Sequence, residues 1–132
     1  IMILAREAGE TLEMDAIHNN SFLPASCMEG TVEDFYKEML RLEDHFRSIY
    51  DAAAAKGCKL KFVASFKEGK AAVGLQEIPA GHDLSNLFGK DNIVLFYTDR
   101  YPQQPLVIKG AGAGADVTAS GVFADILRAT LN

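Results

Sequence analysis

The hydrophobic period of this chain changes once, near Gly57, and that change limits the folds open to it. Up to Lys56 the apolar residues recur every three or four positions: Val32, Phe35, Met39, Leu42, Phe46, Ile49 and Ala53. This is one stripe along a helix, closed by Lys56-Gly57. From Lys59 the period is two, with Leu60, Phe62, Ala64 and Phe66 on one face and Lys59, Lys61, Val63, Ser65 and Lys67 on the other. A helix packed on a half-exposed sheet satisfies both patterns. A coiled coil would need a longer heptad run with charged flanks.

Local signals sharpen this frame. Thr31 is placed to cap the helix, with Glu33 and Asp34 in the first turn, where the helix dipole favours carboxylates. Unbroken, the helix would be about 36 Å long, and a break is expected near Leu42-Glu43. Glu68-Gly69-Lys70 reads as a hairpin turn into a second strand through Ala71, Val73 and Leu75. The lysines of the first strand read as the soluble outer face of the sheet rather than as a basic patch.

Upstream, Ile1, Met2, Ile3, Leu4 and Ala8 form the tail of a helix stopped at Gly9, so the chain is expected to be a fragment. A short strand is expected to end near Leu23. Downstream, Ile93 to Asp99 reads as a strand, and Pro102 and Pro105 bracket a stiff connection. Leu106-Val107-Ile108 is a short apolar strand of the buried kind. The last helix is expected to begin between Asp116 and Thr118 and to carry Val122, Phe123, Ile126, Leu127 and Leu131.

With 132 residues the chain has the size of one domain and enough length for a hydrophobic core. Its net charge of −5 argues against a nucleic-acid partner, which needs a basic face, but leaves room for a small phosphorylated ligand. No apolar run approaches the roughly 20 residues that span a bilayer, and no signal peptide is visible. No membrane is expected, and the cytoplasm is the expected compartment. Cys27 and Cys58 read as free thiols, and with His18, His45 and His82 they make no metal-ligand spacing, so no metal is expected.

The densest motif is KGAGAGADVTASGVFADILR, from Lys109 to Arg128. Gly110, Gly112 and Ala115 satisfy a relaxed dinucleotide pattern, lying between an apolar strand and a helix. Residues without side chains let backbone N–H groups approach a ligand closely, and the positive end of a helix favours anions. Asp116 opposes a phosphate at that end and is the expected helix cap. The motif also lacks a following βαβ unit with its ribose-binding acid. From the pattern alone two readings stand: cofactor contact, or a tight strand-to-helix crossing in which Gly121 lets the helix lie close to a neighbour.

This stretch, GAGAGADVTASGVFADILR, resembles the C-terminal signature of homoserine dehydrogenases, in which a glycine-rich turn precedes Thr-Ala, Gly-Val and Ala-Asp. ILAREAGETLE is similar to the helix that follows the catalytic segment of that family, and LFYTDRYPQQPLVIKG to its penultimate strands. The resemblance runs from end to end. It implies an α+β fold, with a mixed or antiparallel sheet covered by helices. Residues 1–104 would be part of a substrate-binding and dimerisation domain, and 105–132 a strand–loop–helix returning to a Rossmann domain.

The resemblance also implies hydride transfer between NADP or NAD and the aspartate 4-semialdehyde/homoserine pair. Cofactor contact would fall on Gly114, with Gly112 and Ala113 shaping the turn. The implied partners are the rest of the same polypeptide, which in fused members includes an aspartokinase, and a second copy meeting the sheet of residues 59–99. The ending FADILRATLN resembles those fused members. The family's catalytic lysine and aspartate fall upstream of Ile1. No catalytic residue is therefore assigned, and Tyr97, Asp99, Tyr101 and Lys109 read as solvated strand ends. Alone, the chain is expected to be inactive. The alternative is a stand-alone small α/β ligand-binding or regulatory domain.

Overall fold

The structure, a computed structural model, describes residues 1–131. It contains two compact units, Ile1–Ser85 and a second beginning at Asn86. That division lies upstream of the 104/105 boundary read from the sequence, and the last strand runs across that boundary.

The first unit holds α1 (Met2–Glu7), β1 (Ile17–Asn20), α2 (Val32–Arg41), α3 (Glu43–Ala55), β2 (Cys58–Lys67) and β3 (Lys70–Pro79). Thr31 and Asp34 form a capping box at the start of α2. Asp34 N donates to Thr31 Oγ1 at 3.2 Å, and Thr31 N donates to Asp34 Oδ2 at 2.9 Å. The backbone N–H of Thr31, then its hydroxyl, holds the Asp34 carboxyl below its usual range. The helical stripe breaks at Leu42, which ends α2 and begins α3, as expected. Phe35, Met39, Leu42, Phe46 and Ile49 are half-buried and Ala53 is buried, whereas Val32 is exposed.

The sheet has the order β1-β3-β2, with β1 parallel and β2 antiparallel to the central β3. Glu68 (φ 51) and Gly69 (φ 74) make the two-residue loop between β2 and β3, matching the right-handed twist of the strands. Phe66 faces Ala71, which pairs with Ile17, and this end of the sheet packs with Ala5, Leu12, Ile1 and Met2 into a small core. At the other end, Lys56 Nζ holds both oxygens of Glu77, at 2.9 and 2.8 Å, tying the end of α3 to β3. Phe22 bridges α3 and the sheet by edge contacts with Phe46 and Phe62, centroids 6.3 and 6.4 Å apart.

The second unit is a two-stranded antiparallel ladder, β4 (Asp91–Thr98) and β5 (Tyr101–Ala111), followed by α4 (Ala115–Thr130). Here the expectation of a stiff connection and a short buried strand needs correction. Pro102 and Pro105 lie inside one long strand, in the stretch between Tyr101 and Leu106 where the register shifts and pairing lapses. Proline has no N–H to give a ladder, so an unpaired stretch is where a strand can hold it. Leu106, Val107 and Ile108 are exposed at 45%, 41% and 56%. Residues 59–99 likewise do not form one sheet: 59–79 belong to the first ladder and 91–98 to the second.

The expected core is also smaller than the length suggested. Among the described residues the buried apolar side chains are Ala5, Leu12, Cys27, Ala53, Ala71 and Ile78, while Phe62, Phe123 and Ile126 stay open. Each sheet is too small to enclose an apolar layer by itself. The helices and small open sheets make a mixed α+β architecture.

Candidate functional site

The glycine stretch folds as a strand, a turn and a helix. Gly110 and Ala111 end β5, Gly112 to Gly114 make the turn, and α4 begins at Ala115. Gly114 is the N-cap, with φ 138 and ψ 151, a conformation essentially confined to glycine. It offers no side chain to the helix end, so the first-turn N–H groups point outward with the positive end of the dipole. Asp116 lies in that first turn and does not cap it, which corrects the expected role. Among the described residues, a Cβ at Gly121 would meet nothing within 4 Å.

The turn is fixed from the β4 side. Gly112 N donates to Lys90 O at 3.0 Å, extending the ladder by one bond beyond the Asp91–Ala111 pair. A Cβ at Gly112 would overlap the carboxamide of Asn92, whereas one at Gly114 would meet only Lys90 Nζ, at 3.5 Å. Asn92, Val94, Ile108, Gly110 and Gly112 share one face of the hairpin and, with Lys109 and Ala111, line an open concavity of about 250 Å³ beside the turn. The site thus presents backbone, the Asn92 amide and, beside Gly114, the Lys90 ammonium to anything seated against it.

Lys109 opens the glycine motif but works structurally. Its Nζ donates to Asn86 O at 2.7 Å, pairs with Asp91 Oδ2 at 3.1 Å and lies 5.5 Å from the Phe88 ring centroid. The Lys109 ammonium, then the Phe88 N–H, holds the Asp91 carboxyl below its usual range. Tyr97 is exposed and falls in the irregular register, Asp99 lies in the turn after β4, and Tyr101 stacks with Arg100 at 5.7 Å. These three share no hydrogen-bonded cluster with the glycine turn. Cys27 and Cys58 are free thiols, and the described residues contain no group of three potential metal ligands. No helix among them is long and apolar enough to cross a membrane.

Gly112, Ala113 and Gly114 form the turn between β5 and α4. Asn92 and Lys90 were not legible in the sequence, because only the pairing of Asn92 with Gly110 carries them to the turn.

The family model described as homoserine dehydrogenase matches residues 1–127. Bifunctional aspartokinase/homoserine dehydrogenase 2 of Escherichia coli is 38% identical over 97% of the chain, and the maize enzyme named bifunctional aspartokinase/homoserine dehydrogenase 1 is 42% identical over the same share. A homoserine dehydrogenase of Paracoccidioides brasiliensis is 38% identical, again over 97%. The chain spans 16%, 14% and 36% of those proteins respectively. A crystal structure of a Candida auris protein of unknown function superposes with a TM-score of 0.84 at 37% identity, covering 96% of this chain and 36% of that one. A family model matching nearly the whole chain and relatives 38–42% identical over 97% of it agree, and the chain belongs to the homoserine dehydrogenase family.

Proposed function

We propose that this chain is the C-terminal portion of an NAD(P)-dependent homoserine dehydrogenase that interconverts aspartate 4-semialdehyde and homoserine. The observation that carries the reading is the family match across residues 1–127, which takes in a turn whose Gly114 has the open, side-chain-free backbone that a nicotinamide face requires. The residues present fit one side of such a cofactor. Gly114 lacks a Cβ to obstruct it, the first turn of α4 supplies N–H donors, and Lys90 sets a cation beside a helix end that carries Asp116. When bound, the nicotinamide would take up or return the hydride.

The part played by this chain is positional. Gly112 to Gly114 would close one side of the cofactor pocket, and α4 would aim its N-terminus at it. The pyrophosphate cradle and the acid/base groups would come from the rest of the same polypeptide. Residues 105–132 would complete its Rossmann domain and residues 1–104 its substrate domain. The bifunctional relatives support an aspartokinase fused to that polypeptide. The open sheet of β2 and β3, with Phe62 61% exposed, supports contact with a second copy.

The test is an NADPH-dependent reduction assay with aspartate semialdehyde, run on the intact polypeptide and on residues 1–132 alone. Turnover by the intact polypeptide and none by the isolated chain is expected. A start codon next to Ile1, or turnover by residues 1–132, would overturn the reading.

A further inference from the structure

Gly112 and Gly114 are glycines for different physical reasons. Gly114 is one because its φ of 138 strains any side chain, although the space around it is open. At Gly112 the backbone lies outside the left-handed region, and the space is taken. A methyl there would overlap the Asn92 carboxamide and stand 2.9 Å from Asn92 Cβ. Asn92 pairs with Gly110 across the ladder, which places its side chain diagonally over Gly112. The bond from Gly112 N to Lys90 O pins the edge of the turn while the carboxamide rests on its face.

We propose that Asn92 is a positioning residue for the cofactor-facing turn: its carboxamide, packed on Gly112, sets the path of Gly112 to Gly114 and the direction of the α4 N-terminus. This rests on the proposed function and deepens it. An alanine at position 112 would act by expelling the carboxamide, so the two changes should produce one defect rather than two.

The experiment uses the intact enzyme and the variants Asn92→Ala, Gly112→Ala, their double and Gly114→Ala, each followed by steady-state kinetics and a thermal melt. Asn92→Ala and Gly112→Ala are each expected to raise KM for the nicotinamide cofactor about tenfold, the size of one lost packing or hydrogen-bonding contact. The homoserine KM and kcat should move by less than about twofold, a split that a general loss of fold would not give. The double variant should be no worse than either single one. Multiplied effects in the double, or a cofactor KM unmoved by Asn92→Ala, would overturn the proposal.

Gly114→Ala keeps the two readings apart. If it weakens the cofactor while Asn92→Ala does not, the role of Asn92 fails and the proposed function stands. If neither glycine variant moves the cofactor KM of an active enzyme, the turn does not face the cofactor and both fall. Should Gly112→Ala not accumulate in soluble form, Asn92→Gly combined with it removes both the amide and the Cβ. Recovery of soluble enzyme then supports the packing argument, and failure to recover contradicts it.

Discussion

Lys109 and Asp91 join the base of the β4–β5 hairpin, with Nζ 3.1 Å from the carboxylate across one diagonal step of the ladder. The same Nζ reaches the Asn86 carbonyl, so one side chain holds both β4 and the segment leading into it. Because the pair lowers the Asp91 pKa in the folded chain, its stabilising contribution is present above the ordinary carboxylate range and is lost as pH falls through the depressed value. Carboxyl NMR titration should place the Asp91 midpoint below the usual value of about 3.9, and Lys109→Met should move it back up. A midpoint that ignores Lys109→Met would remove the ion pair from the account.

Glu38 gives a second pH handle, in the other unit. Arg41 binds both of its oxygens, at 2.7 and 2.6 Å, and Ser26 adds a further bond, lowering the carboxyl to about 2. Protonation of Glu38 should therefore lag behind the exposed glutamates during acidification, with the lag abolished in Arg41→Met. The reading is the Glu38 side-chain shift between pH 5 and pH 2, and a midpoint at the ordinary glutamate value of about 4.3 would contradict it.

The capping box makes Thr31 the residue on which the start of α2 depends. Thr31→Ala should destabilise the first unit by about 1 kcal/mol, and Thr31→Ser should cost much less because it keeps the accepting oxygen. Urea denaturation followed by helix signal reads this directly. Equal losses for both variants would mean that the methyl, and not the hydroxyl, matters.

Alanine substitutions separate the glycines of the turn by conformation. Gly114→Ala forces a Cβ into a region nearly closed to it and should cost about 1–3 kcal/mol. Gly110→Ala meets nothing within 4 Å and lies in a strand, so it should stay within about 0.5 kcal/mol of the parent. Denaturant midpoints of the two variants should differ clearly, and overlapping midpoints would argue that the turn relaxes freely.

Features set by neighbouring residues in the chain were legible in the sequence. Thr31 with Asp34, the break at Leu42, and Glu68-Gly69 all depend on contacts or dihedrals within a few residues. Features set by distant partners were not. Leu106 to Ile108 have the composition of a buried strand, but burial requires a covering layer, and composition cannot supply one. The prolines of β5 seemed to exclude a strand because nothing local says that its pairing lapses between Tyr101 and Leu106. At the site, the motif carried Gly112 to Gly114, whereas Asn92 and Lys90 reach them only through the β4–β5 register.

On the proposed function, the turn at Gly114 completes a cofactor pocket built mainly by other parts of the polypeptide. Calorimetric titration of NADPH into residues 1–132 and into the intact polypeptide tests it most directly. Saturable binding by the intact polypeptide and no binding tighter than about 1 mM by the isolated chain is the expected pair, since one wall of a pocket supplies little of the roughly 8 kcal/mol that micromolar affinity requires. Low-micromolar binding by residues 1–132 alone would contradict it.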